Sequence, residues 1–303
     1  LVPTEDITDG VLNAQGYQDA GLFGTVLLVA SILIFSIGLR RFIPRLQEFQ
    51  TKTAIGLRQF FRQTADVFKS HSARMTTIAG VMYAAGNGTY VVLWVYIYSY
   101  FWEFTNEQIA LIVMPMAFAA LLLPPLMRQL ARGREKKYVA IMAMFGGLMI
   151  NVLPIALRLL GFFPENGSEA LFWAMIVFGF VETVLFLIYD ISWRSMVSDL
   201  TERIELETGR RNEGVISSTM TFVSKCADGL GSLIAGGMLS LIAFPTETEV
   251  GDVPQDIVDK LGLVYGPLIA LIWSGAIFAL LRYRISRKRH REMLDQLASS
   301  ATD

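Results

Sequence analysis

With 53% of its 303 residues hydrophobic, only 17% charged and a mean hydropathy of +0.47, the chain is too apolar for an ordinary soluble domain and belongs to the membrane class. A net charge of −1 supplies no basic field for nucleic acid. Cys226, the single cysteine, and two isolated histidines, His71 and His290, exclude an intrachain disulfide and leave no Cys/His cluster to hold zinc.

Residues 1–20 carry four acids and no Lys or Arg, so they lack the basic region of a signal peptide. The sequence opens on Leu1 rather than Met, and the reading expects the beginning of the protein to lie upstream. A bilayer core about 30 Å thick needs roughly 20 apolar helical residues. Seven runs meet that length: 21–39, 75–102, 108–127, 138–157, 170–189 (interrupted by Glu182), 214–244 (interrupted by Lys225 and Asp228) and 261–281. Only helices or closed barrels satisfy backbone polar groups in lipid, and runs this long read as helices. The predicted fold class is therefore an all-α membrane protein with seven transmembrane helices.

The connecting segments fix an orientation. Residues 40–74, 128–137, 190–213 and 282–303 hold 23 of the 26 Lys and Arg, whereas the alternate segments hold two, Arg158 and Lys260. The positive-inside rule then puts the N-terminal end of the chain outside and the C-terminal end in the cytoplasm. Pro124 and Pro125 are expected to end the third span, and Pro154 and Pro267 to kink or end theirs. Gly86-Asn87-Gly88, in the middle of the second span, reads as a flexible or close-packed helix centre, or as a discontinuous helix with Asn87 pointing into a cavity. The frequency of glycine in membrane helices favours the first.

A lysine ammonium in hydrocarbon costs at least about 2.5–3.5 kcal/mol on insertion scales, so Lys225 is a functional-site candidate. Asp228 lies three residues on, on the same helix face, and makes a self-neutralising pair or a partner to be exchanged during a cycle. Glu182 is a second intramembrane ionisable residue, placed to line a translocation path, while Asp190 is expected at the membrane interface. Of the aromatic residues crowding the outer half of the second span, Tyr100 and Trp102 suit an interfacial belt, and Tyr90 and Trp94 sit deep enough to contact a substrate.

Ahead of Lys225 runs Asp199-x-x-Glu202-x-x-Glu205-x-x-Thr208-Gly209-x-Arg211-x-Glu213-Gly214, with Lys225 eleven residues further on and Gly231 beyond it. This pattern resembles the signature of the glycoside-pentoside-hexuronide:cation symporters, the melibiose-permease-like branch of the major facilitator superfamily. The tail YRISRKRHREMLDQL resembles that family's segment after helix twelve, and the run from Arg128 to Lys137 a degenerate copy of the superfamily's short basic loop.

The resemblance implies that the seven spans are helices six to twelve: an outer segment with helix six (1–39), a cytoplasmic central loop (40–74), a C-terminal six-helix bundle (75–284) and a cytoplasmic tail (285–303). It implies cation-coupled symport of a sugar or related small polar solute by alternating access, in the inner (plasma) membrane, with Na+ or H+ as coupling cation and no other cofactor. Lys225 matches the helix-eleven lysine placed near the sugar and cation sites. Asp199, Glu202, Glu205, Arg211 and Glu213 match a cytoplasmic charged stretch, expected to form gate ion pairs that hold one conformation closed. Glu202 stands where aspartate is commoner, and Ala227 and Asp228 where small residues are usual. The family's cation carboxylates come from helices two and four, which would lie outside this chain.

The rival layout is a complete seven-helix receptor-like or structural membrane protein. Against a retinal-binding receptor, Lys225 lies in the sixth span rather than the last. An enzyme is not expected, since no HExxH motif or Ser/His pair lies at membrane depth.

Overall fold

The computed structural model describes residues 14–45, 68, 70–130, 132–208, 213–245 and 252–284. Every long element among them is a helix: α1 (Ala14–Arg40), α2 (His71–Tyr96), α3 (Asn106–Leu130), α4 (Lys136–Leu159), α5 (Glu169–Thr208), α6 (Glu213–Leu241) and α7 (Gln255–Leu281). The chain divides into two units, residues 1–55 and 56–303. In the first, α1 is apolar around its whole circumference from Gly21 onward, as a helix facing lipid should be.

The second unit is built around α2. This helix packs against α6 and α7 and more lightly against α5, while α4 packs against α5 and α7, and α3 against α5. The central position follows from composition: Ala73, Thr76, Ala79, Gly80, Ala84, Gly86, Gly88 and Thr89 are all buried on α2, and small residues let helix backbones approach closely. At Gly88 an added Cβ would fall on the backbone carbonyl of Asp228, and at Gly231 on that of Ala85. There the Thr89 hydroxyl donates to the Gly231 carbonyl at 3.0 Å. Gly86 lies under the indole of Trp273. The Gly86-Asn87-Gly88 segment is therefore the close-packed centre of a continuous helix.

Local signals set several ends. Thr105 and Gln108 form a reciprocal capping box at the start of α3, with Thr105 N–H donating to Gln108 Oε1 at 3.0 Å and Gln108 N–H to Thr105 Oγ1 at 3.3 Å. Ser168 Oγ caps α5 by accepting from Leu171 N–H at 3.2 Å. After Tyr96, α2 finishes in a single π turn over Ile97–Phe101. At the far end of α7, Lys137 Nζ donates to the carbonyls of Leu281 (2.7 Å) and Tyr283 (3.0 Å), and His71 Nε2 lies 3.1 Å from that of Arg282. Carbonyls left over at a helix C-terminus are thus met by basic side chains.

Three expectations are corrected. Pro124 and Pro125 do not end the third helix, which runs on to Leu130, since membrane helices tolerate the lost N–H donors. The fifth helix does not stop near Tyr189 but continues to Thr208, so Asp190 lies within it, about 31 Å from its start, and the first half of the charged run is helical. Six of the seven helices are long and apolar enough to cross a membrane; α6 is not among them, diluted by its serines, threonines, Lys225 and Asp228.

Because the atom opposed to each glycine is backbone, the α2–α6 contact has no room for a side chain. Replacing Gly231 with leucine should destabilise the detergent-solubilised protein by about 1–3 kcal/mol, read as a lowered unfolding midpoint. Gly237→Leu, at a position with open space around it, should leave the midpoint in place.

Candidate functional site

The crossing of α2 and α6 holds them together at Gly88 and Gly231, while α5 stands off from α6 across a cavity of about 640 Å³. The face of α6 turned to it carries Ser217, Thr221, Ser224 and Asp228, spaced four, three and four apart, which is one helix face. Lys225 borders the same space. From α2 come Tyr83, Asn87 and Tyr90, and from α5 Glu182, Thr183, Asp190, Arg194, Ser198 and Thr201. Wet, hydroxyl-rich walls between helices of otherwise membrane-spanning composition are what a path for a polar solute requires.

The depth is as informative as the chemistry. Glu182 lies 13 residues into α5 and Lys225 12 residues into α6, so at 1.5 Å per residue each is about 18–20 Å from the start of its helix.

Lys225 Nζ and Asp228 Oδ2 are 3.5 Å apart, with the lysine side chain 78% exposed and the aspartate 30%. At that length and exposure the pair contributes only about 0–1 kcal/mol, so Lys225 can leave its partner at little cost. Arg194 and Asp190 form a shorter pair, 2.7 Å, one turn apart on α5. Arg194 was not singled out from the sequence, although its i, i+4 spacing from Asp190 was visible there.

Glu182 is 6% exposed and sits in the wall between the large cavity and a smaller one of about 20 Å³. Asn151 Nδ2, from α4, donates to Glu182 Oε1 at 2.8 Å and to the Tyr265 hydroxyl of α7 at 2.9 Å. Tyr90 lines the large cavity together with this carboxyl. Trp94 does not reach the large cavity; it lines the small one and stacks on Tyr98 with ring centroids 4.2 Å apart. Lys225, Asp228, Glu182, Asn87 and Tyr90 are thus brought to one space, and Trp94 to its neighbour. Asn151 and Tyr265 were missed, although an asparagine at mid-depth of the fourth span was a visible signal.

Neither Asp199 nor Glu202 lines this cavity, although their neighbours Ser198 and Thr201 do. Asp199, 7% exposed, takes Lys136 Nζ on both carboxylate oxygens at 2.6 and 2.9 Å, joining the first residue of α4 to the later part of α5. Glu202 lies three residues further along α5. The side chains of Glu205, Arg211 and Glu213, and the tail from residue 285, lie outside the described residues.

These features agree with what the chain is similar to. A family model for "MFS/sugar transport protein" matches residues 3–287. A protein of Escherichia coli named "Putative 2,3-dihydroxypropane-1-sulfonate exporter" is 26% identical over 165 residues, 54% of this chain and 32% of that protein. An uncharacterized symporter of Synechocystis is 26% identical over 136 residues, 44% of this chain and 24% of that protein. The matched stretches thus span about a third and a quarter of those relatives' lengths. With nearly its whole length matched, this chain belongs to the MFS/sugar transport protein family, whose members are membrane transporters and not enzymes.

Proposed function

We propose that the chain provides the C-terminal bundle of a cation-coupled symporter for a sugar or related small polar solute, in the melibiose-permease-like branch of the family, with α1 to α7 as helices six to twelve. The observation that carries this reading is the 640 Å³ cavity, walled by hydroxyls and by two ion pairs, with Glu182 and Lys225 each about 18–20 Å along its helix, which in this reading is the middle of the bilayer. Its volume lies within the range of small-molecule sites. In this reading the remaining helices of the longer protein close the open side of the cavity, and the two bundles rock about it to give alternating access. The plasma membrane, a cytoplasmic C-terminal end and coupling to Na+ or H+ belong to the same proposal.

In such a cycle Lys225 meets hydroxyl or anionic groups of the solute by leaving Asp228. The sulfonate in the name of the Escherichia coli relative is one chemistry that a free ammonium and the Arg194 guanidinium would suit. Asp199 and Lys136 then form part of a cytoplasmic gate, a half-buried charge pair between α4 and α5 that opens and closes with the bundle.

The test is uptake by cells or proteoliposomes carrying the full-length transporter, with melibiose and 2,3-dihydroxypropane-1-sulfonate as first solutes. Lys225→Gln should abolish gradient-driven accumulation while the protein stays in the membrane; wild-type accumulation in that variant would remove Lys225 from the mechanism. At the gate, Lys136→Ala and Asp199→Ala should each slow uptake. A double-mutant cycle should show coupling of roughly 1 kcal/mol or more, because the aspartate is buried. Strict additivity would reduce the pair to a surface contact.

A further inference from the structure

A carboxyl group buried at mid-membrane needs compensation, and the groups that reach Glu182 are all neutral. On α4 its partner is the Asn151 amide; on α7 the titratable neighbour is the Tyr265 phenol, and on α2 those of Tyr83, Tyr90 and Tyr98. Helix α3 contributes no residue to either cavity wall. The charges that share the large cavity are already matched, Arg194 with Asp190 on α5 itself and Lys225 with Asp228 on α6. Among the described residues, a carboxylate at Glu182 therefore has no cation of its own.

A second observation lies on its other side. The 20 Å³ cavity has room for about one water molecule. Asn151 Oδ1, from a residue lining it, is buried with no hydrogen-bond partner. A sodium ion in that space would want about six oxygen ligands, as hard cations do. The wall offers the Glu182 carboxyl, Asn151 Oδ1 and two phenols among Trp94, Trp102 and Phe178. The set is too poor for sodium and suits a proton: turning the Asn151 amide end for end would present Oδ1 to a protonated Glu182 as an acceptor.

We infer that Glu182 is the proton-binding site of this transporter, held by Asn151 as a positioning residue, with the proton exchanged through water of the large cavity that Glu182 also borders. On release the carboxyl gives its proton to that water and becomes a carboxylate; on binding it takes one back. The role as coupling site rests on the symport reading above, whereas the existence of the site rests on the packing of α2, α4, α5 and α7.

Infrared spectroscopy of the purified full-length protein tests it without any solute. At neutral pH the wild type should show a carbonyl-stretch band of a protonated carboxylic acid that disappears reversibly at alkaline pH. Glu182→Gln should lack that band, and Asn151→Leu should keep it at a higher frequency, because the carbonyl loses its hydrogen bond. A band unchanged in Glu182→Gln, or absent from the wild type, would overturn the assignment; so would its loss when sodium chloride replaces choline chloride at constant pH, which would make this a sodium site. Should Glu182→Gln fail to purify as a monodisperse protein, the shift in Asn151→Leu still decides. The band without solute uptake would leave the proton site standing and remove the symport reading; uptake without the band would do the reverse.

Discussion

The backbone contact between α2 and α6 at Gly88 and Gly231 fixes the geometry on which the rest depends. Two helices without side chains at their crossing come close enough for a threonine hydroxyl to reach the opposite backbone. On the other flank of α2, Trp193 Nε1 donates to the Thr76 carbonyl at 3.0 Å, and its ring lies over Gly80. Both α5 and α6 are thus pinned to α2, and the space left between them becomes the cavity. In lipid, where apolar burial gives little preference for one helix neighbour over another, such close contacts and interhelical hydrogen bonds supply the specificity.

The same constraint explains how the polar side chains are arranged. Each charge lining the cavity has a place that reduces its cost: Lys225 beside Asp228, Arg194 beside Asp190, Glu182 among an amide and phenols. None of these compensations is rigid. An exposed pair 3.5 Å apart and a carboxyl in the wall of two cavities are positions from which a solute or a proton can draw a partner away, as transport requires. The Lys136–Asp199 pair is different, being shorter and anchored on a buried carboxylate, which suits a gate rather than a binding site.

Much of this was legible in the residues. Helix number followed from runs of apolar residues, and Lys225 and Glu182 stood out because hydrocarbon makes an ionisable group conspicuous. Asn87 and Tyr90 could be named from depth alone. What could not be read was which helices meet. Asn151 joins Glu182 to Tyr265 across three helices, a relation with no trace in local spacing. The length of α5 was not visible either, because a charge after twenty apolar residues looks like the end of a helix, whereas α5 carries on past Asp190 to Thr208. The double proline of α3 misled in the same way, since the rule that proline ends a helix weakens where neighbouring helices hold the backbone in place.

The central claim is that the space between α2, α5 and α6 is a water-filled path for the solute. Cysteine scanning tests it most directly, in a background from which Cys226 and every cysteine elsewhere in the full-length transporter have been replaced by serine. Asn87→Cys and Thr183→Cys face the cavity, whereas Leu233 and Leu271 are 72% and 74% exposed on apolar helix surface. The account predicts that a charged, membrane-impermeant thiol reagent modifies Asn87→Cys and Thr183→Cys, that a transported solute slows the reaction, and that Leu233→Cys and Leu271→Cys stay unlabelled. Equal labelling of both sets, or none at the cavity positions, would contradict it.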